Sequence, residues 1–210
     1  MTTTAAAIAT ITSWLFGVDV SEFQASVNWA EVFNLGFRFA YVRACEGTYL
    51  DPLHLRHSIG ARGAGFKTGS YQFGHPSMDV NALADFFIAH AFYDQLRPVI
   101  DMEALNKDKT VPSNAGAWTL AWCQRVEAKT GTKPIVYAST SYMKTMLAQC
   151  PALATYVVLA QDFWDAEYHN DHDFDPIKMA CVARQYAGDV GDALRLIGHV
   201  LALERGQTRS

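Results

Sequence analysis

No stretch of this sequence concentrates positive charge. With 17 Lys and Arg against 21 Asp and Glu, a formal net charge of −4 and no basic run, it lacks the footprint with which proteins neutralise a phosphate backbone, so nucleic acid is excluded as an expected partner. Long apolar runs are missing too. None approaches the roughly 20 residues that a membrane-spanning helix requires, and no membrane insertion is expected. Cysteine is sparse and scattered: Cys45, Cys123, Cys150 and Cys181 form no C-x-x-C pair and no zinc-ligand spacing, which supports buried, reduced thiols acting as small hydrophobes. Repeats and internal linkers are also lacking. What remains is a chain of 210 residues, 50% hydrophobic and 18% charged, in the range of an ordinary globular domain with one core. Residues 1–14 are small and Thr/Ala-rich without a basic n-region, so they read as a flexible leader and a poor secretory signal, with a single domain over 15–210.

Short β-rich runs recur between helix-like stretches: Leu15–Val20, Phe37–Arg43, Lys67–Phe73, Arg97–Glu103, Pro134–Ser139, Tyr156–Gln161 and Lys178–Tyr186. That rhythm indicates βα units and a parallel sheet. Asp51-Pro52 offers an N-cap with proline at the first helical position, and Gly63 and Gly65 can close the helix it starts. From Asp79 to Gln95, Leu83, Phe87 and Ala91 fall four apart, as one buried helix face would; between Ser113 and Thr130, Trp118, Trp122 and Val126 repeat the pattern before Gly131. The Trp pair reads as core packing before it reads as a sugar platform. The fold class that follows is α/β, an irregular single-domain β/α barrel whose last crossovers are shortened.

Chemistry enters where carboxylates interrupt the apolar strands. Asp101 and Glu103 end the run Arg97-Pro98-Val99-Ile100; at about 3.3 Å per residue with alternating faces, they point the same way with Cα atoms roughly 6.6 Å apart. At the C-terminal end of a barrel strand that direction is the active-site mouth. Crowded carboxylates raise one another's proton affinity, so one can remain a proton donor while its neighbour stays charged, as glycoside hydrolysis demands. Asp19 lies inside another apolar run, where a carboxylate is costly unless it serves a site or finds partners. Tyr71 and Tyr137, also at strand ends, can stack on and orient sugar rings, although core tyrosines are the commoner explanation for either alone.

Taken in order, Gly17-Val18-Asp19-Val20-Ser21 with Gln24, Asn28-Trp29, Phe39-Ala40-Tyr41-Val42-Arg43-Ala44 with Glu46-Gly47, Asp51-Pro52, Ala64-Gly65, Gly69-Ser70-Tyr71 with Phe73, Pro98 to Glu103, and Lys133-Pro134-Ile135-Val136-Tyr137 resemble glycoside hydrolase family 25, the Chalaropsis-type lysozymes. The resemblance implies an irregular β/α barrel that cleaves bacterial peptidoglycan between N-acetylmuramic acid and N-acetylglucosamine. It makes Glu103 the general acid, Asp101 the partner carboxylate that orients an acetamido group or stabilises the transition state, and Asp19 a further acid. Tyr71, Tyr137, Gln185 and Tyr186 fall among the substrate contacts. No cofactor or metal is called for, the partner is the peptidoglycan glycan strand, and a monomer is expected.

The chain departs from that family pattern mainly in its C-terminal third. Val158-Leu159-Ala160 and Arg184-Gln185-Tyr186 each lack a tryptophan that the family usually shows, and Val200-Leu201-Ala202-Leu203 lacks its closing aspartate. Asp189 and Asp192 are the candidates to replace it, and Gln72 stands where histidine is commoner. A barrel that binds sugar without cleaving it is therefore the first alternative. A zinc-dependent polysaccharide deacetylase is the second, suggested by His54-x-x-His57, in an expected surface helix, and by His169 and His172. With no separate wall-binding domain and no convincing export signal, the setting that fits is a phage endolysin, held in the host cytoplasm until its release to the wall; otherwise the protein is secreted.

Overall fold

The parallel sheet grows in sequence order, each new strand beside the last. In the computed structural model, which describes residues 16–104, 110–161 and 181–185, the elements are β1 (Phe16–Val20), α1 (Trp29–Asn34), β2 (Phe37–Glu46), β3 (Tyr49–Leu50), α2 (His54–Gly63), β4 (Lys67–Phe73), α3 (Val80–His90), β5 (Val99–Met102), α4 (Ala115–Thr130), β6 (Ile135–Ser139), α5 (Thr140–Gln149), a 3₁₀ turn (Pro151–Thr155), β7 (Val157–Gln161) and β8 (Cys181–Gln185). The path β1-β2-β4-β5-β6-β7-β8 is parallel throughout; β3 folds back antiparallel on the end of β2. This is the wall of a β/α barrel, as expected. Among the described residues the path ends at β1 on one side and β8 on the other.

Register decides which side chains meet. Asp19 pairs with Tyr41, Arg43 with Tyr71, Phe73 with Asp101, and Asp101 with Tyr137. Paired residues share a face of the sheet and neighbours alternate, so these side chains line the inner face. The interleaved Val20, Ala40, Val42, Ile100, Met102, Val136 and Ala138 point outward, each at most 1% exposed beneath the helices. Two apolar clusters result. One joins β1 and β2 to α1 and α2 through Trp29, Val32, Ala61 and Phe66; the larger joins the central strands to α3, α4 and α5 through Leu83, Phe87, Trp118, Trp122 and Met146. Burying an aliphatic or aromatic side chain stabilises by about 1.5–3 kcal/mol, so these faces hold the helices in place.

Several element ends differ from the sequence expectation. Asp51 does not cap α2, which begins only at His54: its Oδ2 accepts from Arg43 Nε and Glu22 N and its Oδ1 from Leu53 N, so the carboxylate closes a turn before the helix. Helix α3 keeps its Asp79 cap, with Oδ1 accepting from Ala82 N at 2.7 Å, but stops at His90, short of Gln95. The Trp118–Trp122–Val126 stripe is buried as read, and Gly131 ends α4 in the left-handed conformation at φ 69°. Gly116 in α4 faces the Met146 carbonyl so closely that no Cβ fits between α4 and α5. Cys45, Cys123 and Cys150 are free, the first two buried.

Candidate active site

Three acids collect at the C-terminal end of the parallel strands. Asp19 comes from β1, Asp101 from β5, and Glu103 from the first residues beyond β5. Burial raises the proton affinity of Asp101 well above the usual carboxylate range, and the charges of Glu103 and Asp19 raise it further. Burial likewise raises Glu103, while a hydrogen bond from Tyr137 opposes the rise. At Asp19, desolvation first and the Glu103 charge second push the proton affinity up to about 6. Asp101 Oδ1 is buried and has no hydrogen-bond partner among the described residues, an arrangement that costs free energy until a donor reaches it.

Tyr71 and Tyr137 close the sides of this cluster. Burial and the carboxylate charges around them raise both phenols, so both hydroxyls keep their protons and can donate. Two strands from Asp101, across β4, Arg43 pairs with Tyr71 on the inner face and is only 3% exposed. Its Nη2 bonds Glu22 at 2.7 Å, its Nη1 Glu46 at 3.1 Å and its Nε Asp51 at 2.9 Å. Tyr49 donates to Glu22, and His75 contacts Glu46. A groove of about 390 Å³ at this end of β2 and β4 is lined by Glu22, Glu46, Gly47, Thr48, Tyr49, His75 and Met78.

The five inner-face candidates Asp19, Tyr71, Asp101, Glu103 and Tyr137 are thus brought together. Gln185 lies in β8, where its backbone pairs with Gln161; Tyr186, Asp189, Asp192, His169 and His172 lie outside the described residues. Gln72 is turned away from the mouth and buried, accepting from Trp122 Nε1 at 2.7 Å and donating to the Gly47 and Leu83 carbonyls. The His54/His57 pair is corrected as well. Both rings are buried, not on a surface: His54 Nε2 contacts Ser70 Oγ at 2.9 Å and stacks on Phe92, and His57 meets the edge of Trp29. Sequence reasoning missed the Arg43 hub as a functional element. The signal was available, because a cation inside the apolar run of β2 is as anomalous as Asp19 inside β1.

Comparison with known proteins agrees with this architecture. Residues 18–191 match the family model described as glycosyl hydrolases family 25. The chain is 29% identical over 170 residues to an N,O-diacetylmuramidase of Arthroderma benhamiae, covering 76% of this chain and 72% of that protein. It is 33% identical over 140 residues to an N,O-diacetylmuramidase of a Chalaropsis species, covering 60% and 66%. Its fold is similar to the structure of a muramidase from Trichobolus zukalii, with a TM-score of 0.71 at 24% identity, covering 92% of this chain and 100% of that one.

Proposed function

The chain belongs to glycosyl hydrolases family 25, and from that premise we propose that it is an N-acetylmuramidase that hydrolyses the β-1,4 bond between N-acetylmuramic acid and N-acetylglucosamine in bacterial peptidoglycan. The observation that carries the reading is the crowding of Asp19, Asp101 and Glu103 at one strand end, where desolvation raises the proton affinity of each. Glu103 is the general acid, donating to the glycosidic oxygen as the bond breaks. Asp101 is its partner. In the free protein burial first, and the Glu103 and Asp19 charges after it, raise the proton affinity of Asp101 well above the usual carboxylate range, and no donor among the described residues reaches its Oδ1. An acetamido N–H placed there by the substrate stabilises the Asp101 anion, lowers its proton affinity and leaves the shared proton to Glu103. The acid is thereby armed when the sugar is in place. Asp19 adds a third charge facing the reacting sugar, and Tyr71 and Tyr137 offer aromatic surface and hydroxyl donors to the glycan.

The same reading takes residues 15–210 as one catalytic domain, Gln185 and Tyr186 as substrate contacts, and the protein as a monomer that reaches the wall by secretion or release. No helix among the described residues is long and apolar enough to cross a membrane.

Glu103→Gln tests the assignment: release of reducing ends from purified peptidoglycan falls by about a hundredfold or more, the size of a lost general acid, while the fold is kept. Undiminished hydrolysis by that variant would refute it. Mass analysis of wild-type products shows muramic acid at the new reducing ends, whereas binding to walls without new reducing ends would identify a sugar-binding barrel.

A further inference from the structure

Burying a guanidinium calls for a partner, and Arg43 has three. Each of its nitrogens takes a different carboxylate, from three segments: Glu22 beyond β1, Glu46 at the end of β2 and Asp51 before α2. Arg43 also stacks under Phe23, its guanidinium carbon 5.0 Å from the ring centre. Three acids on one cation exceed what neutralisation requires, so the hub is poised: with Arg43 the cluster is partly balanced, and without it three buried or half-buried negative charges face the mouth.

We propose that Arg43 is a positioning residue of the active site, holding the β1 and β5 acids in register and balancing the charge that surrounds Asp101. The connections run both ways. Glu22 lies three residues beyond Asp19, and its backbone N–H donates to Asp51 at 2.9 Å, so the Arg43–Asp51 pair anchors the end of β1. Glu46, held by Arg43, contacts His75; the neighbouring Gly74 N–H donates to the Asp101 carbonyl at 2.8 Å, so the same guanidinium anchors the end of β5. Register places Arg43 beside Tyr71, which in turn sits between the Asp19 and Asp101 charges. The titratable groups that meet Arg43 or feel its charge are Glu22 beyond β1, Cys45 and Glu46 from β2, Tyr49 from β3, Asp51 ahead of α2, Tyr71 from β4 and Asp101 from β5, with His75 against Glu46. Of these charges, Arg43 draws Asp101 toward its ionised form and Glu46 pushes it away.

The inference rests on the muramidase reading for its consequence but not for its test. Carbon-13 NMR titration of the Asp101 carboxyl is followed in wild type, Arg43→Met, Arg43→Lys and Glu46→Gln, beside pH profiles of kcat/KM on peptidoglycan. Arg43→Met raises the Asp101 midpoint by about one pH unit and moves the acid limb of kcat/KM with it. Arg43→Lys restores most of that shift, because it returns the charge, while kcat stays low because the three-way fork is lost. Glu46→Gln lowers the midpoint. Should Arg43→Met fail to fold, Arg43→Gln, which removes the charge but keeps a hydrogen-bonding side chain, carries the test beside Glu46→Gln. Midpoints that superpose on wild type in the folded variants, with activity merely scaled at every pH, would make Arg43 a structural residue and overturn the proposal. Absence of hydrolysis by wild type would instead count against the muramidase reading and leave the midpoints to decide the role of Arg43.

Discussion

Tyr137 acts on Glu103 through one hydrogen bond, and its sign can be worked out. The phenol donates to the carboxylate, favours the charged form and so holds the Glu103 proton affinity below the level that burial alone would set. Removing the hydroxyl in Tyr137→Phe raises that affinity, and with Glu103 in its proposed role as general acid the alkaline limb of the pH–rate profile moves to higher pH. A limb that stays in place, or moves down, would show that the hydrogen bond does not govern the acid. Asp19, Asp101 and Glu103 were legible as residues because carboxylates in apolar strands contradict the pattern around them. The Asp101 oxygen left without a donor was not legible, since it depends on where side chains of other strands stop. Nor was the role of Gln72: it stands where histidine is commoner in the family, but only register turns it away from the mouth and toward Trp122.

Helix α4 is fastened to the sheet by a polar contact inside an apolar interface. Trp122 is fully buried and its indole N–H donates to Gln72 Oε1, so the pair links α4 to β4 while Gln72 also bonds the Gly47 and Leu83 carbonyls. Trp122→Phe leaves a buried acceptor without its donor and loses ring volume, which destabilises the fold by about 1–3 kcal/mol or more for the acceptor alone. Chemical denaturation measures this as a lower midpoint at unchanged slope; a midpoint equal to wild type would mean the bond carries no net stability. The same helix was easy to read from its four-residue stripe and its closing glycine. Short α1 and the two-residue β3 carry too few residues to show a period, and the start of α2 was misplaced because Asp51, which looks like a cap, is spent on Arg43 and Glu22.

Over the whole molecule, titratable groups with shifted proton affinities pull stability in opposite directions with pH. Burial lowers His54 from 6.5 to about 4, so the unfolded chain binds more protons across that window and stability falls as pH drops through it. Asp19 is raised from 3.8 to about 6, so the folded protein holds the extra proton and stability falls as pH rises across that range. Thermal unfolding followed against pH separates them. His54→Gln flattens the acid-side loss, and Asp19→Asn raises the unfolding temperature at neutral pH, the usual exchange of stability for an active-site charge. Unchanged pH profiles in both variants would place the acid sensitivity elsewhere. The sheet has one further consequence, for how the molecule comes to be folded. Because the parallel path from β1 to β8 follows the order of the chain, each described strand after β1 joins an edge that already exists, and among the described residues no early strand waits for a distant late one. A chain emerging from the ribosome can therefore build its wall progressively, and Asp19, Asp101, Glu103 and Tyr137 meet once β6 has been laid down, while β7 and β8 are still to come.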